Sequence, residues 1–200
     1  MSGIVGGINL RSSGLVNNSS ASDGQVFTGT GAGLPAGFEA AAGGGKVLQI
    51  VSVTKSDTFS HATTTFTNVT GMTVTTGTLG STSNKILVTV AAHGSHTLGN
   101  QVYFRLVRGT TGICIGDAAS DRTRIGAGIY ENNNSSIHPI AIQFLDSGSF
   151  ADTSAVAYTL QIACHDGTPT HYVNRSVDDA DYSYRARTAS TITAIEYDYS

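Results

Sequence analysis

The side chains of this 200-residue chain with chemical potential are six histidines, two cysteines and a knot of acids and arginines near residue 180. His93 and His96 stand three apart on what reads as a turn, close enough to share a metal. Zinc takes three or four ligands, and no further ligand type is near in sequence. Cys164, His165, Asp166 and His171 outline a Cys/His nucleophile pair. The alternation around them argues otherwise: Cys164 shares a strand face with Leu160 and Ile162, whereas His165 points to the opposite side. Cys164 and Cys114, each flanked by apolar residues, are expected to be buried free thiols. The richest polar stretch holds Arg175, Asp178, Asp179, Asp181, Tyr182, Tyr184, Arg185 and Arg187. Three carboxylates with nearby carbonyls could hold calcium, which takes six to eight oxygens, and the tyrosines could stack on a sugar. The EF-hand spacing, central glycine and terminal glutamate are absent. The other reading is a salt-linked loop whose acids and arginines neutralise one another, within one chain or between subunits, and acid–arginine mixtures favour it. The three glutamates, Glu39, Glu131 and Glu196, belong to no motif, so the paired carboxylates of a glycosidase are missing. Gly43–Gly45 and Lys46 form no phosphate loop, because Val47 follows the lysine. The expectation is a protein that is not an enzyme and has neither metal nor cofactor.

The elements that position these residues alternate with period two. Residues 47–53 are mostly β-branched. Residues 63–76 read as two strands broken near Gly71. Ile86, Val88 and Val90 share one face, as do Val102, Phe104 and Leu106, with Tyr103 and Arg105 opposite. Residues 112–116 and 124–130 are further candidates. Ile140, Ile142 and Phe144 alternate, and so do Val156, Tyr158, Leu160, Ile162 and Cys164; residues 190–199 close the set. Turn signals fall at 79–84, 93–99, 108–112, 131–136 and 166–169. Many short strands with turns between and no helical period predict an all-β fold, an antiparallel sandwich or jelly roll.

Composition divides the chain near residue 45. Residues 1–45 hold only Arg11, Asp23 and Glu39 as charges. Their apolar islands, among them Ile4, Val5, Ile8, Leu10, Leu15, Val16, Val26, Phe27 and Phe38, are too short to build a core. A Gly-rich, nearly uncharged arm of this kind can lie extended against a partner, its backbone pairing with strand edges and its apolar side chains filling pockets. Residues 46–200 are then the β-sandwich. Charged residues make up 12% of the whole, which leans toward burial between subunits, while the abundance of Ser and Thr (roughly a quarter) offers the other reading, a polar β-surface with few charges. Eleven lysines and arginines against fourteen acids cannot supply a basic face, so no nucleic acid is expected. No apolar run approaches the roughly 20 residues of a membrane span. The opening lacks a basic n-region and an apolar h-region, so the chain is expected to fold in the cytoplasm where it is made.

Three stretches carry a resemblance: residues 1–6 with 14–16; residues 23–35 with Phe38 and Glu39, where many relatives have Trp in place of Phe38; and residues 45–51 with 173–182 and 189–196. Together they resemble small virion structural proteins of tailed bacteriophages, especially marine and cyanobacterial phages. The resemblance implies a homotrimer with a compact jelly-roll head, similar to the tumour-necrosis-factor-like fold, preceded by an attachment arm. It implies a location in the virion, assembled in the cytoplasm of the bacterial host, with capsid, portal or tail proteins contacted through residues 1–45. A tail fibre or a head or tail knob is the first reading. A capsid decoration protein clamping the shell is the alternative, as is a lectin-like module using Tyr103, Tyr130, Tyr182 and Tyr184 on a host-surface glycan.

Overall fold

The computed structural model describes residues 25–28, 37–40, 45–97, 99–131, 133–148, 150–167 and 170–198, and the structural statements that follow are made of these. Two units meet between Gly44 and Gly45. In the first, β1 (Gln25–Thr28) and β2 (Gly37–Ala40) pair antiparallel, with Phe27 opposite Phe38 and Val26 opposite Glu39. Neither strand has a signal in the sequence pattern. Ile4, Val5, Ile8, Leu10, Leu15 and Val16 lie outside the described residues.

The second unit is built of strands alone among its described regular elements. In chain order they are β3 (Lys46–Lys55), β4 (Phe59–His61), β5 (Thr67–Thr75), β6 (Lys85–His96), β7 (Asn100–Arg108), β8 (Thr111–Ile113), β9 (Ala127–Glu131), β10 (His138–Asp146), β11 (Ala157–Cys164), β12 (His171–Val173) and β13 (Ser190–Asp198). Three pairs of short strands each occupy one lane. β12 and β13 pair with successive parts of β6, at Gly94–His96 and Lys85–Ala91. β4 and β3 continue that pattern on the far side of β12 and β13. β8 and β9 pair with successive parts of β7. Numbered along the chain, the lanes lie in the order 1-8-3-6 in one sheet and 2-7-4-5 in the other, all antiparallel. Eight lanes in two such sheets make a jelly roll.

The period-two pattern explains the core. Ile86, Val88 and Val90 of β6, Val102, Phe104 and Leu106 of β7, and Tyr158, Leu160 and Ile162 of β11 are buried together with Ile140, Ile142, Ile192 and Ala194. Each fully buried aliphatic or aromatic side chain contributes roughly 1.5–3 kcal/mol.

Several expectations need correction. Residues 93–96 are not a turn but the end of β6, held on one edge by β10 and on the other by β12. Gly94 is there for packing: a Cβ on it would come within 3.0 Å of Phe104 Cζ. The chain reverses only after Thr97, with Gly99 at φ +78°. Residues 63–76 hold one strand rather than two. Gly71, at φ +82°, forms a bulge in β5, so that Thr73 pairs with Thr159 but Asn68 with Gln161. The added residues let Val69 and Met72, three apart, both reach the core. The strand expected at 112–116 ends at Ile113, because Cys114 takes φ +51° and carries the chain out of the sheet. The three-residue strands β4 and β12 were not anticipated.

Candidate functional site

Between β12 and β13 the chain leaves its lane for residues 174–189, the acid–arginine stretch. Asn174, fully buried at φ +64°, holds the neck. Its Nδ2 donates to the carbonyls of Lys55 (2.9 Å) and Asp57 (3.0 Å), and its Oδ1 accepts from Ser190 Oγ (2.5 Å). Thr188 N donates to the Asn174 carbonyl, and a bridge between Arg175 and Arg187 closes the stalk. Within the loop, Asp178 accepts from Arg185 Nη2 at 2.6 Å. Asp179 accepts from Arg187 Nε at 2.8 Å and lies 3.5 Å from Arg175 Nη1. Arg175 also lies over the Tyr172 ring, 4.3 Å from its centre. These carboxylates are thus engaged by guanidinium groups of their own loop. Asp181 is exposed, and Tyr182 and Tyr184 stack on each other at 5.3 Å and 3°. Among the described residues no group of three or more His, Cys, Asp or Glu is placed to hold a metal ion.

Cys164 is buried and points its thiol at the His61 carbonyl, 3.6 Å away. Burial, with the charge of Asp166 second, pushes its pKa up to about 11, the opposite of what a nucleophile needs. His165 is exposed on the other face, edge-on to Tyr103. Neither cysteine is in a disulfide, and Cys114, expected to be buried, is only half-buried because the chain leaves the sheet there.

The pairing of His93 with His96 that their spacing allowed, and that the lack of further ligands argued against, also fails for a geometric reason. Three residues apart in a strand they face opposite sides, and His93 instead contacts the Ala189 carbonyl through Nδ1 at 3.0 Å. His96 belongs to another set. His61, His171 and His96 are direct cross-strand neighbours on β4, β12 and β6, a row on the core-facing side. The His96 and His171 rings meet edge to face at 5.7 Å. His171 is wholly buried, and neither of its ring nitrogens has a hydrogen-bond partner. Burial first, then repulsion from His96 and His61, brings its pKa down from 6.5 to about 4, against a smaller opposing pull from Asp166. The row was invisible in sequence because two of its three strands are only three residues long.

Two buried acids also escaped sequence reasoning. Asp146 accepts from Arg108 Nη1 at 2.9 Å and from the Tyr158 hydroxyl at 2.8 Å. Burial and then the Asp146 carboxylate raise the Tyr158 pKa. Glu196, facing the core, accepts from Asn84 Nδ2 (2.5 Å), from the Gly80 amide (2.8 Å) and from Gln49. Burial acts to raise its pKa, but these three bonds outweigh it and hold the carboxyl below the usual range. Both acids are tied down as parts of the framework.

The outer faces of the two sheets differ in kind. On the sheet containing β5, β11 and β7, Arg105 Nε donates to Gln161 (2.8 Å), Gln161 donates to Asn68 (2.7 Å), and Thr73 meets Thr159 (2.9 Å). That face is knitted for water. On the other sheet, register sets Ile50, Ile195, Leu87 and Leu145 in one row across β3, β13, β6 and β10. Ile50 is 64% exposed and Leu145 46%. The next row is Val47, Tyr197 and Lys85, and an apolar groove of about 360 Å³ opens among Gly45, Lys85, Leu87, Leu145 and Tyr197. The rows beyond are Ser52, Thr193, Thr89 and Gln143, then Thr54, Thr191, Ala91 and Ala141. Lys85 is the single ionic side chain in these four rows.

No protein-family model matches the chain, and no curated protein does. Among solved structures, one chain of infectious bursal disease virus, Gx strain, is similar over 84% of this chain at 10% identity and a TM-score of 0.33. The match spans 40% of that chain's own length. The jelly-roll assignment rests on the strand order alone.

Proposed function

We propose that the chain is a non-enzymatic structural subunit of a virus particle that associates with copies of itself through the outer face of the β3–β13–β6–β10 sheet. The row of Ile50, Ile195, Leu87 and Leu145 carries this reading. A solvated antiparallel face normally reads polar. Here large aliphatic side chains stand open on a sheet face with one ionic group, the charge-poor character of an interface centre. A face four lanes wide and about eight residues long covers about 500 Å² at the usual spacings. Packed against a different patch of a neighbouring copy, the head-to-tail contact that a trimer requires, it would bury about 1,000 Å² of combined surface, the lower bound for a specific interface. The resemblance in sequence supports reading the particle as that of a tailed bacteriophage and the assembly as a trimer, fixed to capsid, portal or tail by residues 1–45. The same surface suits a fibre or knob and a decoration protein on the shell.

Size-exclusion chromatography with light scattering tests the association. The full chain is expected as a trimer. Ile50→Lys combined with Leu145→Lys should give a monomer that still unfolds cooperatively, since both side chains are exposed in the single chain, though without the stabilisation that association adds. A wild-type monomer, or a trimer that survives both charges, refutes the reading.

A further inference from the structure

The opposite sheet carries a different feature. On β7 and β9, Tyr103 pairs with Gly128 and Gln101 with Tyr130, so the two tyrosines stand diagonally across a glycine. A groove of about 280 Å³ lies among Gln101, Tyr103, Ile125, Gly128, Ile129 and Tyr130. Gly128 forms its floor. A Cβ there would point into the groove, 3.0 Å from Ile125 Cδ1 and 3.8 Å from Tyr103 Cδ1. Gly128 is not among the glycines at positive φ, so the absent side chain makes room where the backbone makes no demand. Tyr130 is 58% exposed. The Tyr103 hydroxyl donates to Gln101 Oε1 at 2.9 Å, which orients the amide and leaves its NH₂ group available as a donor. His165 sits edge-on to Tyr103 at the rim, 6.1 Å between ring centres.

We infer that this groove binds one pyranose unit of a saccharide. None of the six lining side chains is ionic, which disfavours a phosphate, a carboxylate or an ammonium group as the ligand. The groove is smaller than the roughly 300–1,000 Å³ of pockets for drug-sized ligands. Its composition, aromatic flanks with an apolar floor and a few neutral hydrogen-bonding groups at the edge, matches a sugar ring. Such a ring presents C–H bonds on its faces and hydroxyls around its rim. Tyrosine suits that contact because it joins an apolar ring to a polar tip. Tyr182 and Tyr184 fit less well, since each has already given one ring face to the other. The inference does not depend on self-association.

Saturation-transfer NMR on the full chain tests it, using the methyl pyranosides of glucose, galactose, mannose, N-acetylglucosamine and rhamnose as probes. At least one should receive saturation, strongest at the C–H protons of one ring face. Tyr130→Ala should weaken that sugar's affinity about tenfold, the equivalent of about 1.4 kcal/mol. Gly128→Val, which fills the floor and leaves both tyrosines, should abolish the transfer, and Tyr184→Ala should leave it intact. A panel with no transfer at all overturns the inference. So does transfer that persists in both groove variants, or that disappears with Tyr184→Ala.

Discussion

Acid should unfold this protein through His171. The imidazole is wholly buried without a hydrogen-bond partner for either nitrogen, between His96 and His61 in the cross-strand row. Its pKa is about 4 in the fold against 6.5 as the ordinary value. A group whose folded pKa is depressed binds its proton first in the unfolded chain, so stability is intact above pH 6.5 and drains away as pH falls toward 4. Each pKa unit corresponds to 1.36 kcal/mol, so the full loss is about 3 kcal/mol, and about 2 of it is reached by pH 4.5. That is a large share of the 5–15 kcal/mol that holds a typical domain together. The assay is urea unfolding at a series of pH values, for wild type and for His171→Leu. Glu196 and other carboxylates also titrate, so the informative quantity is the difference between the two proteins. The wild type should lose about 2 kcal/mol more than the variant between pH 7 and 4.5. Equal losses would refute the reasoning, as would a His171 ring that titrates near 6.5 by NMR in the folded protein.

Other substitutions probe the framework. Asn174→Ala removes the side chain that satisfies the Lys55 and Asp57 carbonyls at the loop neck. It should cost about 1–3 kcal/mol, with the buried Lys55 carbonyl losing this partner, and expose residues 175–189 to limited proteolysis. Asn174→Gly, which tolerates φ +64°, should lose less than a conformationally strained alanine, and chemical denaturation compares the two directly. Gly94→Ala pushes a methyl against Phe104 and should cost about 1–3 kcal/mol by thermal melting, with the same strand pairing retained in amide exchange.

The long strands were legible because each has one buried face: β6, β7, β10, β11 and β13 announce themselves by alternation, and their inward residues are the core. Local pattern failed where a tertiary neighbour sets the conformation. Gly94 and Ser95 look like turn residues, yet pairing with β12, and for Gly94 with β10 as well, keeps them extended. Gly71 looks like a break, yet it makes a bulge within one continuous strand. The self-neutralising character of residues 175–187 could be read from composition alone. Tyr103 and Tyr130 stand out in the sequence as candidate sugar contacts, but their meeting at one groove, like the histidine row and the apolar row, could not be read there, because each is assembled across strands by register, and register has no signature within a single strand.

The interrupted lanes have a further consequence. Residues 114–126 and 174–189 each depart from a lane and return to it, and each is tied off at its own base. The first is closed by Gly116 N to the Ile125 carbonyl (3.2 Å) and Arg124 Nε to the Gly116 carbonyl (2.6 Å), the second by Asn174. Strand pairing resumes beyond each base whatever the length of chain spent outside. Doubling a loop adds only about 0.6 kcal/mol of closure entropy. The sandwich therefore depends on the bases of these two excursions rather than on their lengths, and their tips are ports at which sequence can be lengthened, exchanged or grafted while the jelly roll beneath keeps its registers.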